Sequence, residues 1–227
     1  MKRYSITSPF ILVNLKAYQE SIGRAAHAIA AAAQQVSDES GIMIGVCPMY
    51  MDIHPLEHHY DIPIFAQHID PITAGAYTGM ISAHSVRVAG ACGSLLNHSE
   101  HRQTLADIEM CVHTLRNEDM WSCVCTNNVA STRAAAAYNP DFVAIEPPEL
   151  IGSGISVSKA NPEIIKESVA SAKSVSPDIR VLTGAGISTG ECVKTALDLG
   201  SDGVLLASGV VKSGDPESAL RTLISLL

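Results

Sequence analysis

Short runs of apolar residues recur along the chain, and segments with helical periodicity separate most of them. A continuous short apolar run is typical of a strand that is buried on both faces, as in a parallel sheet. The runs start 21 to 38 residues apart, which leaves room for a helix between most neighbours. We therefore predict eight strands, at residues 10–13, 42–46, 64–66, 94–96, 121–125, 142–145, 180–182 and 203–207.

The intervening segments carry recognisable helix signals. Residues 100–118 place Leu105, Ile108, Val112 and Leu115 at spacings of three and four, which predicts an amphipathic helix. Asn-Pro at 161–162, Ser-Thr-Gly-Glu at 188–191 and Asp-Pro at 215–216 resemble helix N-termini, with Ser188 as the predicted N-cap of its helix. Further helices are predicted at residues 21–36 and 131–138, and only one short helix at 48–60.

Eightfold alternation of strand and helix predicts an α/β fold, namely a closed (β/α)8 TIM barrel of eight parallel strands surrounded by helices. An open doubly wound sheet is the alternative, but no Gly-x-Gly-x-x-Gly follows the first strand. With no linker or low-complexity tract, residues 1–227 are expected to form a single domain.

Composition and charge narrow the function classes. The net charge of −8 and the lack of Lys/Arg clusters argue against nucleic acid as a partner. No uninterrupted apolar stretch reaches 18 residues, so no membrane span is expected. The six cysteines form no C-x-x-C pair and are typical of reduced, buried thiols. We expect a cytoplasmic protein.

In a barrel, functional groups lie just after the strands, at the carboxyl-terminal face. Each group found at these positions has an ordinary structural interpretation by itself, such as a surface lysine, a turn asparagine or a tight glycine turn. Their convergence on one face indicates a site for a phosphorylated sugar. The positions are Asn14 and Lys16 after strand one, His98, Ser99 and Glu100 after strand four, Glu146 after strand six, Gly184, Ala185 and Gly186 after strand seven, and Ser208 and Gly209 after strand eight.

Three other motifs are weaker. Residues 54–58 match the H-x-x-E-H zinc pattern, but Pro55 disfavours a helical conformation at His54, and we do not expect a metal site. Residues 186–190 match G-x-S-x-G, yet no histidine follows the serine as a hydrolase triad requires. Cys123 and Cys125 share one strand face and are interpreted as core packing.

Taken together, five motifs resemble the triosephosphate isomerase family in its shorter archaeal form. The resemblance runs from end to end, with the motifs in the family's order. They are Asn-Leu-Lys at 14–16, Asn-His-Ser-Glu at 97–100, Glu-Pro-Pro-Glu-Leu-Ile-Gly-Ser-Gly at 146–154, Gly-Ala-Gly-Ile-Ser at 184–188 and Leu-Ala-Ser-Gly at 206–209.

The resemblance implies interconversion of dihydroxyacetone phosphate and glyceraldehyde 3-phosphate, a step of glycolysis and gluconeogenesis, with no cofactor and no metal. Glu146 would be the base, His98 the neutral imidazole that polarises the carbonyl, with Lys16 and Asn14 stabilising negative charge and Glu100 in support. The helix expected near Ser99 would disfavour the imidazolium form of His98. The residues implied in substrate binding are Asn14, Lys16, Ile151, Gly152, Gly186, Ala207 and Ser208.

By the same resemblance, the loop around Thr78 would join subunits into a homodimer or homotetramer and reach the partner's site near Asn14. Some positions differ from the bacterial and eukaryotic pattern, among them Asn97, Met80 and the Pro148-Glu149 pair of the loop hinge. Two alternatives remain open: another phosphosugar isomerase or epimerase barrel, and a phosphosugar-binding sensor without catalysis.

Overall fold

The computed structural model describes residues 4–148 and 156–227, and within them it shows a barrel of parallel strands surrounded by helices. The predicted fold class is confirmed, because eight strands are found at the eight apolar runs. They are β1 (Phe10–Asn14), β2 (Met43–Cys47), β3 (Phe65–Ala66), β4 (Gly93–Leu96), β5 (Trp121–Thr126), β6 (Phe142–Ile145), β7 (Arg180–Thr183) and β8 (Gly203–Leu206).

The strands follow one another around the barrel, in the order β2-β1-β8-β7-β6-β5-β4-β3. The ring closes between β2 and β3 through a single parallel bridge, Val46 to Ile64, with the Val46 N–H donating to the Pro63 carbonyl at 2.9 Å. Strand β3 has only two residues. Pro63 has no N–H to donate, so the pairing cannot extend further toward the amino-terminal end of β3.

The helices of the described ranges cover the outside of the barrel, and none is long and apolar enough to cross a membrane. The predicted N-caps Asn161 and Asp215 are confirmed, each accepting a hydrogen bond from a first-turn backbone N–H. The helices are α1 (Arg24–Ser40), α2 (Tyr50–His59), α3 (Ala83–Val88), α4 (Leu105–Asn117), α5 (Val129–Ala136), α6 (Val157–Ala160), α7 (Pro162–Val175), α8 (Gly190–Asp198), α9 (Ser208–Val211) and α10 (Pro216–Ile224).

Two predictions about helix starts were wrong. The helix after β4 begins at Leu105 rather than near Ser99, because Thr104 and Asp107 form a reciprocal capping box. The N-cap of α8 is Thr189 and not Ser188, since the Thr189 side chain accepts from the Cys192 N–H. In both cases a competing hydroxyl further along the chain caps the helix.

Strand pleating divides the core into two parts. Alternate residues of β6, Val143 and Ile145, pack outward against the helices, while Phe142 and Ala144 fill the barrel interior. Side chains alternate between the two faces of a strand, so the residue after Ile145 faces inward again. That residue is Glu146. The same alternation in β1 puts Phe10 and Leu12 in the interior and turns Asn14 inward at the end of the strand.

Candidate functional site

Glu146 lies at the carboxyl end of β6, facing the barrel axis, with only 7% of its surface exposed. Among the described residues its Oε2 atom has no hydrogen-bond partner. Burial raises the pKa of this carboxyl group above its usual range, while His98, the Cys125 thiol and Lys16 act in the opposite direction. The Glu146 carboxyl group is therefore buried and keeps an acceptor that no hydrogen-bond donor of the described residues uses.

His98 is held opposite this carboxylate by the turn that follows β4. Asn97 has a positive φ of 56°, a conformation that asparagine tolerates better than most residues. The His98 Nδ1 atom accepts a hydrogen bond from the Glu100 N–H at 3.2 Å. A neutral ring in this arrangement carries its proton on Nε2, which lies 3.5 Å from Glu146 Oε2.

The Asn97 side chain fixes this turn through both of its polar atoms. Its Nδ2 donates to the Cys125 carbonyl, and its Oδ1 accepts from the Gln103 N–H, each at 3.0 Å. The Gln103 side-chain oxygen in turn accepts from the Asn97 N–H at 2.9 Å. The orientation of His98 thus depends on a local side-chain network, not on the N-terminus of α4, which begins at Leu105.

Lys16 approaches the site from β1. Its φ is +53°, and its N–H donates to the Asn14 side chain at 3.0 Å. The Gln67 side chain donates to the Lys16 carbonyl at 2.9 Å and thereby supports the loop from the end of β3. The Lys16 ammonium pairs with Glu100 at 2.7 Å, so one carboxylate stands beside both Lys16 and the His98 turn.

A pocket of about 150 Å³ joins these groups to the turns after β7 and β8. In the turn after β7, Gly186 has a φ of +73°, a backbone conformation that favours glycine. A Cβ on Gly209 would lie 3.1 Å from the Ile187 carbonyl, so the two turns are in close contact. The first N–H groups of a helix have no partner within it, so the start of α9 at Ser208 offers donors to the pocket.

The structure brings together most of the predicted site residues. Ser188 lines the pocket as well, although it is not a helix cap. Ile151 and Gly152, also predicted in the site, lie outside the described residues. The predicted residues that line the pocket are Asn14, Lys16, His98, Glu146, Ala185, Gly186, Ala207, Ser208 and Gly209.

Sequence reasoning missed three residues near this pocket. Tyr18 lines it, Gln67 holds the Lys16 loop, and Cys125 hydrogen-bonds Glu146 besides packing in the barrel interior. Gln67 directly follows a predicted strand and could have been found by the strand-end rule. Tyr18 is four residues beyond β1, too far for that rule to identify.

The zinc hypothesis at residues 54–58 was set aside partly for a wrong reason. Both histidines lie in α2, which continues through Pro55, and their ring centroids are 6.4 Å apart. A proline inside a helix removes one i→i−4 hydrogen bond and crowds the preceding turn, and α2 nevertheless accommodates Pro55. Within the described residues no cluster of three or more metal-ligating side chains is found.

The loop around Thr78 extends from the barrel between β3 and α3. Asp70 joins its two ends: the Asp70 N–H donates to the Ile81 carbonyl at 2.8 Å, and the Asp70 carboxylate accepts from the Ile81 N–H at 2.6 Å. Tyr77 and Met80 of this loop are 46% and 42% exposed. The chain thus presents large apolar groups on a loop with anchored ends.

The fold and the pocket define a class: a (β/α)8 barrel with acid–base side chains at the carboxyl ends of its strands, the arrangement of barrel enzymes. Residues 9–225 match the family model described as triosephosphate isomerase. The chain belongs to the triosephosphate isomerase family.

Curated relatives carrying this name cover almost the whole chain. The protein of Methanoculleus marisnigri is 62% identical over 220 residues, spanning 97% of this chain and 99% of the relative. That of Methanothermus fervidus is 54% identical over 217 residues, covering 96% and 98%. That of Methanocaldococcus jannaschii is 51% identical over 217 residues, covering 96% and 99%.

Proposed function

We propose that this protein interconverts dihydroxyacetone phosphate and D-glyceraldehyde 3-phosphate by moving a proton between neighbouring carbons through an enediolate. The observation that carries the proposal is the position of the buried Glu146 Oε2, which has no hydrogen-bond partner among the described residues, 3.5 Å from the His98 Nε2 in one pocket. The family and its similarly named relatives support the choice of substrate. This reaction is a step of glycolysis and of gluconeogenesis.

Glu146 is proposed as the base that removes the carbon-bound proton. Triosephosphate isomerase is itself the standard example of a carboxylate base paired with a neutral histidine, and we take this division of roles from the family. Two features of this chain support it: burial raises the pKa of Glu146, which makes its carboxylate a stronger base, and Glu146 lines the pocket.

His98 is proposed to polarise the carbonyl and to exchange protons with the enediolate oxygens. The Glu100 N–H occupies the Nδ1 lone pair, which leaves the Nε2–H of a neutral ring available as a donor toward the substrate. Lys16 and Asn14 would stabilise the negative charge that develops on the oxygens, an effect that grows when water is excluded. Glu100 would support both Lys16 and His98.

The substrate phosphate is proposed to bind backbone N–H groups at Gly186 and at Ala207–Ser208, with Ile151 and Gly152 completing the site. Phosphate sites of barrels are frequently formed by the loops after strands seven and eight. A proton transfer between adjacent carbons involves no net oxidation, so no metal or organic cofactor is required by this chemistry.

The direct test is a coupled assay of the purified protein with glyceraldehyde 3-phosphate and, separately, with dihydroxyacetone phosphate. We expect rapid turnover in both directions. A panel of other phosphosugars serves as the comparison, and turnover of one of them alone would identify a different isomerase or epimerase. Tight binding of phosphoglycolate without any turnover would replace the proposal by a sensor function.

We also propose self-association through the loop around Thr78, as a homodimer or homotetramer. The anchored ends of the loop and its exposed Tyr77 and Met80 support this. Light scattering of the protein and of a Tyr77→Ser, Met80→Ser double variant tests it; a monomeric mass for the unmodified protein would contradict it.

A cytoplasmic location is proposed as well, because all six cysteines are buried and none forms a disulfide.

A further inference from the structure

The charges around the pocket do not by themselves favour an anionic ligand. Lys16 is the one lysine or arginine among the described lining residues, and its ammonium is paired with Glu100 at 2.7 Å. Glu146 adds a second carboxylate, and the chain as a whole carries a net charge of −8. Lys16 and Glu146 offset one another in the pocket lining, so a further cation near the opening would strengthen the attraction of a phosphate dianion.

Lys212 supplies such a cation. It follows α9 directly, and its N–H donates to the Ser208 carbonyl at 3.1 Å, which places its backbone one turn beyond the proposed phosphate donors. Its ammonium lies 4.5 Å from the centroid of the Tyr18 ring, within the range of a cation–π contact. Tyr18 lines the pocket, so the Lys212 ammonium lies against a residue of the pocket wall.

The backbone of Tyr18 is held by hydrogen bonds within the loop after β1. It immediately precedes a short 3-10 turn, Gln19–Ser21, and the Ser21 hydroxyl donates to the carbonyls of Leu15 and Tyr18 at 2.8 and 2.9 Å. Ser21 is completely buried. The backbone of Tyr18 is therefore anchored to the β1 loop that also carries Lys16, while the exposed Lys212 side chain contacts its ring from the β8 side.

We propose that Tyr18 and Lys212 form a cationic rim of the pocket, in which the Tyr18 ring positions the Lys212 ammonium so that it attracts the phosphate of the substrate. The pair is a binding and positioning device and takes no part in proton transfer. The inference rests on the proposed function, because it concerns the phosphate of that same substrate. A cation at the mouth accelerates capture of an anion and acts less at high ionic strength.

The test is steady-state kinetics of Lys212→Met, Tyr18→Leu and the double variant, at about 20 mM and about 300 mM salt, where the screening lengths differ several-fold. At low salt we expect Lys212→Met to raise KM about fivefold with kcat unchanged, and to raise the inhibition constant of inorganic phosphate in the same ratio. At high salt the difference from the unmodified protein shrinks. Lys212→Arg restores the low KM, because guanidinium groups also stack on aromatic faces.

Tyr18→Leu is expected to give much of the same rise in KM, and the double variant little more than Lys212→Met alone, since both changes remove one interaction. Lys166→Met is the matched control: it removes one positive charge from an exposed pair with Glu163 on α7. Its KM should equal that of the unmodified protein.

Three outcomes would overturn the inference: a Lys212→Met variant with unchanged KM at low salt, a loss confined to kcat, or an equal effect in Lys166→Met. Thermal unfolding of each variant separates a folding defect from a binding defect, and Lys212→Arg tests the charge if Tyr18→Leu is unstable. Absence of turnover in the unmodified protein would instead contradict the proposed function, while the inhibitor constants could still be compared by direct phosphate binding.

Discussion

The Nε2 atom of His98 lies 3.5 Å from the Oε2 atom of Glu146, and both side chains are more than nine-tenths buried. The histidine is fixed by a backbone N–H on its other nitrogen, and the glutamate is turned inward by the pleat of β6. Two separate elements of the barrel thus place a carboxylate and an imidazole side by side. Both groups line the same pocket.

Shortening the base tests its role. Glu146→Asp withdraws the carboxylate from the substrate carbon by about 1 Å, and a displacement of this size costs on the order of 100-fold in rate. We expect kcat to fall by about that factor while the inhibition constant of phosphoglycolate changes little. Glu163→Asp, an exposed residue of α7, is the control. Unchanged turnover in Glu146→Asp would remove Glu146 from the role of base.

Glu146 also makes stability depend on pH. Because burial raises its pKa in the folded state, the folded protein binds this proton more tightly than the unfolded chain. Ionising the buried Glu146 carboxyl group lowers the free energy of unfolding. This loss is absent below the unfolded pKa of about 4.5, grows as pH rises through the folded pKa, and is complete above it. Glu146→Gln should therefore unfold a few degrees higher at neutral pH, with the gain shrinking toward pH 4.5. A lower unfolding temperature at pH 7 would contradict this.

His68 makes stability fall with decreasing pH, the opposite of the effect of Glu146. Burial lowers its pKa and the stacked His101 ring, 3.9 Å away, acts in the same direction, although Asp70 opposes them. The unfolded chain then takes up the proton first, so stability is lost as pH falls below about 6.5 toward the folded pKa. We expect unfolding temperatures of His68→Gln to decline less between pH 7.5 and 5.5 than those of the unmodified protein. The exposed His113→Gln variant should follow the unmodified curve.

The glycine beside the base cannot accept a side chain. A Cβ on Gly184 would lie 2.9 Å from Glu146 Oε1 and 2.6 Å from the Leu205 carbonyl, closer than such contacts allow. Gly184→Ala should cost about 1–3 kcal/mol of stability and lower kcat by displacing the carboxylate. Gly214→Ala is the matched control, since nothing lies within 4 Å of its Cβ. Equal kcat values for the two variants would show that Glu146 tolerates the displacement.

The sequence was sufficient to predict the barrel and to place Glu146 and Asn14 just after their strands, because the apolar runs end at the residues before them. The sequence was insufficient where more than one nearby residue can begin or end a helix. Thr104 rather than Ser99 determines where α4 starts, and only the fold shows that Pro55 is accommodated inside α2. The contact between Tyr18 and Lys212 joins residues nearly two hundred positions apart, which no local pattern can reveal.

The alternation that fills the barrel with Phe142 and Ala144 and then presents Glu146 has a consequence for how such a chain can vary in length. One residue gained or lost within β6 would reverse the strand's faces beyond that point, turning Glu146 toward the helices and Ile145 into the pocket. Strand β6 can therefore accept substitutions but not single-residue insertions or deletions, whereas the loops between strands and helices can change in length. A one-residue deletion in β6 would thus take the base out of the pocket even in a chain that still folds.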